Sequence, residues 1–130
     1  MRHRHLLIVA VAVTLLSCSV NRGSPAGEEY ATRSNEGDIS FQLTPQAPLN
    51  GRMTVNIRAD THSGDLGDVD LRRAMALHAD GKTYRPVNAS TLSGHHASGT
   101  VVFEIERLPS RFSITITGVR EMAELKFDWP

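Results

Sequence analysis

The chain has 130 residues, in which 14 lysines and arginines balance 14 aspartates and glutamates. This length fits a single domain, and the even mixture of charges lacks the basic footprint of a nucleic-acid-binding protein. The one cysteine has no partner for an internal disulfide. Stability must therefore come from an apolar core, which a chain of this size can bury.

The first eighteen residues have the layout of a secretory signal. Arg2 and Arg4 precede an apolar run over residues 6–16 that only Thr14 interrupts, and the small residue Ser17 stands before Cys18. A transmembrane helix needs ~20 apolar residues, so the run is too short to span a membrane. A plain cleaved signal peptide is an alternative, but it leaves Cys18 as an unused thiol.

The stretch from Leu15 to Cys18, with a small residue before the cysteine, resembles the lipobox of bacterial lipoproteins. The resemblance implies that residues 1–17 are a signal peptide, that the Cys18 thiol is diacylated and that its new amine is acylated after cleavage. The mature protein is then anchored in the cell envelope by lipid. Because Ser19 gives no retention signal of the aspartate kind, we expect the outer membrane, facing the periplasm, in a Gram-negative cell and the cell surface otherwise.

Residues 18–36 are predicted to be the lipidated Cys18 and a flexible tether, because they are polar and show no periodicity. Tyr30 is able to pack onto the edge of the domain, which is predicted over 37–130, but we do not expect it to. The domain begins with two strands in which apolar and polar residues alternate. Their apolar positions are Ile39, Phe41 and Leu43 in the first strand, and Met53, Val55, Ile57 and Ala59 in the second.

The segment from Asp60 to Asp70 contains four aspartates and two glycines, which indicates an ordered loop or one short helical turn. Residues 71–79 are ambiguous, because Asp70 could cap a helix there. The pair Asp80-Gly81, however, is a strong hairpin signal that requires a strand directly before it. We therefore favour a turn near 68–72 and then a strand over 74–79 paired with 82–86, with a helix over 71–79 as the alternative.

The second half of the chain contains the clearest strands. A polar loop over 87–98 precedes alternating segments at 101–106 and 112–117, which we expect to pair as an antiparallel hairpin. A last strand covers 123–129. The total of about seven short strands without βαβ alternation predicts an all-β fold, an immunoglobulin-like antiparallel β-sandwich. Its predicted core consists of Phe103, Ile105, Phe112, Ile114, Leu125 and Phe127.

Histidines and aspartates are concentrated in the two long loops. If the loops meet, His62, His95, His96 and Asp60 supply the four ligands that a zinc or copper ion takes. The competing interpretation is structural, with these residues hydrogen-bonded to loop backbone. Adjacent histidines on a strand point to opposite faces, which favours the structural interpretation. No nucleophile elbow, Ser-x-x-Lys or phosphate-binding loop is present, so we do not expect an enzyme.

Four motifs together resemble a family: Asp60-Thr61-His62-Ser63, Asp68-Val69-Asp70-Leu71, Gly94-His95-His96-Ala97-Ser98-Gly99 and Phe127-Asp128-Trp129. The chain is similar over residues 37–129 to an uncharacterised family of secreted or lipid-anchored bacterial β-domains with Asp-Thr-His-Ser and Gly-His-His motifs. It departs from the family at Val87, where a tryptophan often follows the proline. The family implies no established activity, but it draws attention to His62, His95 and His96.

These observations predict a lipid-anchored β-sandwich domain of the cell envelope with a non-enzymatic binding or structural role. The expected partners are the membrane, through the lipid anchor, and an envelope protein, without nucleic acid or cofactor. The alternative is an envelope protein that binds zinc or copper through the loop histidines.

Overall fold

The structure is a computed structural model that describes residues 29–130. The predicted signal peptide, Cys18 and residues 19–28 of the predicted tether lie outside the described residues. Within residues 29–130 no helix has the length and apolar character needed to cross a membrane. In chain order the described elements are β1 (Arg33–Ser34), β2 (Ile39–Pro45), β3 (Arg52–Thr61), a 3-10 helix (Leu66–Asp68), α1 (Leu71–Ala74), β4 (Met75–Ala79), β5 (Lys82–Tyr84), β6 (Asn88–Ala89), β7 (His96–Glu104), β8 (Phe112–Ile116) and β9 (Leu125–Trp129).

The strands form two antiparallel sheets, which confirms the predicted β-sandwich. One sheet has the order β1-β2-β3-β7-β6 and the other the order β5-β4-β8-β9. The sets β2-β3-β7-β6 and β4-β8-β9 correspond to the ABED and CFG sheets of an immunoglobulin-like domain, with β1 and β5 added at the edges. The two strands missed from the sequence, β1 and β6, have only two residues each, too few for alternation to reveal them.

One predicted pairing is wrong. β7 pairs with β3 and β6, whereas β8 pairs with β4 and β9, so these two strands lie in different sheets and form no hairpin. The connection over 105–111 crosses from one sheet to the other. Alternation shows which side of a strand is buried, but two strands that face each other across a sandwich carry the same pattern as two neighbours in one sheet.

The core lies between the sheets and is built from alternate residues of the strands. Five of the six predicted core residues are buried, and the sixth, Leu125, is partly buried against the same core. Leucines from the connections complete it: Leu66, Leu71 and Leu92 are exposed by 1% or less. The long loops are therefore packed onto the core by their own side chains.

The ambiguous segment 71–79 contains both of the predicted elements in succession. The Asp70 carboxylate accepts hydrogen bonds from two backbone N–H groups and caps a single helical turn, α1. β4 follows at once and pairs with β5, as predicted. Asp80 and Gly81 have φ values of 51° and 71°, the left-handed geometry of a two-residue hairpin turn. The helical alternative is wrong beyond Ala74.

The sheet begins earlier than the predicted boundary at residue 37. β1 pairs with β2, and the Tyr30 N–H donates to the Pro45 carbonyl at 2.8 Å. The Tyr30 ring packs edge-on against Phe112, with the ring centroids 5.1 Å apart. The Trp129 indole N–H donates to the Ala31 carbonyl at 2.7 Å. Residues 29–35 thus join the edge of one sheet to the edge of the other.

Strand directions define two ends of the sandwich. The chain enters the described structure beside the end of β2, at the end that also carries residues 46–51 and 105–111; we call this end the tether pole. The opposite end carries residues 62–70, 90–95 and 117–124, and we call it the loop pole. β3 runs from one pole to the other over ten residues, a length of about 30 Å.

Candidate functional site

The two long loops singled out in the sequence meet at the loop pole. The Leu66 N–H donates to the Gly94 carbonyl at 2.8 Å, and the Thr61 N–H donates to the His95 carbonyl at 2.9 Å. These contacts place the Asp-Thr-His-Ser and Gly-His-His motifs side by side. A third connection, residues 117–124, completes the pole.

Arg120, in the third connection, holds the first loop in place. Its Nε and Nη2 donate to the two carboxylate oxygens of Asp68, at 3.1 and 3.4 Å. Nη1 donates to the Thr61 hydroxyl at 3.2 Å and to the Ser63 carbonyl at 2.8 Å, and Nη2 also donates to the Asp65 carbonyl at 3.1 Å. All five guanidinium N–H groups thus have acceptors within the protein. Arg120 is a structural residue of this pole.

Asp65 joins the first loop to the second. Its Oδ1 accepts hydrogen bonds from the backbone N–H groups of Gly67, at 2.7 Å, and Gly94, at 3.0 Å. These two bonds, with smaller contributions from the nearby charges of His95 and Arg120, hold the pKa of Asp65 below its ordinary value. The ionised carboxylate is therefore the form that fastens the loops together.

Asp60 and His96 face each other on the outer side of the five-stranded sheet. They are register partners on β3 and β7, and the Asp60 carboxylate contacts the His96 Nδ1. This contact leaves Nε2 on the far side of a ring that is 81% exposed. The pair borders a depression of about 310 Å³ that is also lined by Gln42, Arg58 and Ser98. Chemically it is an imidazole oriented by a carboxylate on an open polar surface.

The other two predicted metal ligands do not join this pair. The side chains of His62 and His95 are exposed, and these residues form hydrogen bonds through their backbone. The His62 N–H donates to the Asp38 carbonyl at 3.2 Å, and the His95 carbonyl accepts from Thr61. Among residues 29–130, no group of three or more histidine, cysteine, aspartate or glutamate side chains is placed to hold a metal ion. Zinc takes three or four protein ligands, so the residues that are brought together do not fit a zinc site.

Several motif residues form the hydrogen bonds to loop backbone that the competing, structural interpretation predicts. The Thr61 hydroxyl donates to the Ser63 carbonyl at 2.7 Å, and Asp70 caps α1. The fourth histidine of the domain, His78, lies away from the loop pole and bonds the hydroxyls of Thr83 and Thr115 across the four-stranded sheet. These contacts stabilise the local backbone of the loops and the four-stranded sheet.

Sequence reasoning missed Arg120. A signal for it existed, because the loop 60–70 carries four aspartates and Arg120 is the one basic residue in the connection between β8 and β9. It also missed the pairing of Asp60 with His96 on the outer sheet face, since that pairing depends on the register of β3 against β7.

The loop pole is thus a rigid surface, fixed by Arg120 and Asp65, with His62 and His95 exposed at its rim. A comparison of the chain with family models, with curated proteins and with solved structures finds no match.

Proposed function

We propose that this protein is a lipid-anchored domain of the bacterial cell envelope, attached through Cys18, that presents its loop pole to an envelope protein and catalyses no reaction. The proposed location is the periplasmic face of the outer membrane in a Gram-negative cell and the cell surface otherwise.

The supporting observation is the direction in which the chain enters the sandwich. The Glu29–Gln46 bridge and the bond from Tyr30 to Pro45 place that point at the tether pole. An anchor at Cys18 therefore attaches to the end opposite the loops, which lie about 30 Å further from the bilayer along β3. The ten residues from 19 to 28 can span at most about 35 Å. The loop pole is therefore the end of the domain remote from the point of attachment.

The rigidity of the loop pole supports a binding role. Arg120 donates hydrogen bonds to four residues in and beside the first loop, and the Asp65 carboxylate joins that loop to the backbone of Gly94. A surface that is already ordered loses little conformational entropy when a partner binds, so more of the contact energy appears as affinity. The exposed His62 and His95 provide hydrogen-bonding groups at its rim.

Metabolic labelling tests the anchor. The full chain, expressed in a bacterial host fed with an alkyne analogue of palmitate, should carry the label and sediment with membranes. The Cys18→Ser variant should lose both properties. An unlabelled wild-type chain, or a labelled variant, contradicts the proposed attachment.

Site-specific photo-crosslinking tests the presentation. A photoreactive residue placed at His95 or Glu121, both exposed at the loop pole, should give a discrete crosslinked protein in intact cells. Position 83, exposed on the outer side of the four-stranded sheet, is the matched control and should not give that product. Equal crosslinking from position 83 contradicts a role for the loop pole.

A further inference from the structure

The tether pole carries an exposed apolar turn. Leu49 is the only large apolar side chain among residues 29–130 that is strongly exposed, at 49%. Two backbone hydrogen bonds, 2.8 and 3.1 Å long, join Leu49 and Arg52 around the turn. Asn50 and Gly51 at its centre have φ values of 52° and 74°, which is the geometry of a tight hairpin turn. Leu49 is therefore held at a rigid tip and does not lie on a loose loop.

A cavity of about 550 Å³ lies next to this turn and is lined by charges of both signs. Arg52 and Arg107 provide two positive charges, and Glu104 and Glu106 provide two negative ones. Arg52 and Glu104 are register partners on β3 and β7, but none of the four residues forms a salt bridge among residues 29–130. A hydrogen bond of 3.0 Å from the Ile105 N–H to the Gly51 carbonyl holds the two sides of the cavity together.

This lining matches a ligand that carries both a phosphate and an ammonium group. The guanidinium groups of Arg52 and Arg107 suit phosphate oxygens, which they bind through pairs of N–H donors. The carboxylates of Glu104 and Glu106 suit a primary ammonium, which donates up to three hydrogen bonds. An aminophospholipid headgroup contains both groups, and its acyl chains provide the apolar medium for an adjacent leucine.

We propose that the tether pole docks on the bilayer, with Leu49 inserted between the lipids and the four charged residues around an aminophospholipid headgroup. The inference rests on the proposed function, because a lipid anchor at Cys18 keeps this pole beside the membrane. The tether also provides a high effective concentration, so a contact too weak to hold a free domain is sufficient for a tethered one. Docking fixes the orientation in which the loop pole faces outward.

Vesicles with a chemical anchor test the docking directly. The mature chain, residues 18–130, is coupled through the Cys18 thiol to a maleimide lipid in vesicles that contain phosphatidylethanolamine. In the Leu49→Trp variant, emission of the new tryptophan should shift to the blue and be quenched by brominated lipids. The signal of Trp129, measured in the parent chain, is subtracted. The Glu121→Trp variant places a tryptophan at the loop pole and should show at least threefold less quenching.

The headgroup contacts require separate controls. Arg52→Gln with Arg107→Gln in the Leu49→Trp chain should lower the quenching at least twofold. Vesicles of phosphatidylcholine should lower it similarly, because a quaternary ammonium has no N–H to donate to Glu104 or Glu106. With Leu49 unchanged, hydrogen exchange of residues 104–107 should slow severalfold on phosphatidylethanolamine vesicles.

Two results overturn the inference. Equal quenching at positions 49 and 121 contradicts the docking. Quenching at position 49 that changes neither with the arginine substitutions nor with the lipid type contradicts the headgroup site. Because the anchor is attached chemically, these results do not depend on acylation in the cell. An unlabelled native chain in the palmitate experiment defeats the proposed function and leaves the vesicle result standing.

Discussion

The Arg120 side chain holds the loop 60–70 in place at the loop pole. The Arg120→Met variant removes five hydrogen bonds, two of them to the Asp68 carboxylate. A bond to a charged group contributes ~1.5–3 kcal/mol and one to a neutral group ~0.5–1.5 kcal/mol. The Asp68 side chain is 56% exposed, and water can replace several of the lost bonds. We therefore expect the free energy of unfolding to fall by about 2–4 kcal/mol, well below the simple sum.

Urea denaturation of the mature chain with Cys18→Ser measures this change, with Arg73→Met as the matched control. Arg73 is 91% exposed and its ion pair with Asp70 is 3.7 Å long, so its removal should cost under ~0.5 kcal/mol. The Arg120→Lys variant should fall between the two, because an ammonium cannot reproduce the planar set of donors. If Arg120→Met and Arg73→Met lose the same stability, Arg120 does not hold the loop as described.

Three further predictions follow from other contacts. The pKa of Asp65 is lowered in the folded state from its ordinary 3.8, so its ionised form stabilises the fold above that pH, and this contribution is lost as the pH falls through the lowered value. The urea midpoint of Asp65→Asn should therefore differ most from that of wild type at neutral pH. A difference that stays constant down to pH 2 would contradict this. A Cβ on Gly99 would lie 2.5 Å from the Ser90 Cβ, so Gly99→Ala should lower the free energy of unfolding by ~1–3 kcal/mol. Adding Ser90→Gly should restore part of the loss. A Gly99→Ala chain as stable as wild type would refute the close packing. Trp129→Phe keeps the stacking on Phe112 but loses the indole hydrogen bond to Ala31. Thermal unfolding should show a loss of ~1–2 kcal/mol in the free energy of unfolding, and proteolysis near residue 30 should increase. Unchanged proteolysis there would show that this bond does not hold the segment.

Alternation along the chain was sufficient to predict the strands that bury one face, and the Asp80-Gly81 signal was sufficient to predict the hairpin of β4 and β5. Alternation was not sufficient to assign β7 and β8 to their sheets, because each strand buries alternate residues whichever sheet it joins. Residues 29–36 look like a tether because they are polar, and their order comes from contacts with β2 and β9 that are remote in sequence.

The candidate site shows the same limit more strongly. The sequence placed the important histidines and aspartates in two loops, and those loops do meet. It could not show that Asp60 pairs with His96 and leaves His62 apart, since a shift of one residue between β3 and β7 would exchange the faces. Nor could it connect Arg120 with Asp68, which are 52 positions apart.

The bond between Trp129 and Ala31 brings the last residues of the chain next to the point where the domain begins. Under the proposed anchoring, a fluorescent protein or affinity tag fused after Pro130 would lie on the same side of the domain as the bilayer and compete with the anchor for space. The same proximity allows circular permutation, in which a short linker joins residue 130 to residue 29 and new ends open in a distant connection.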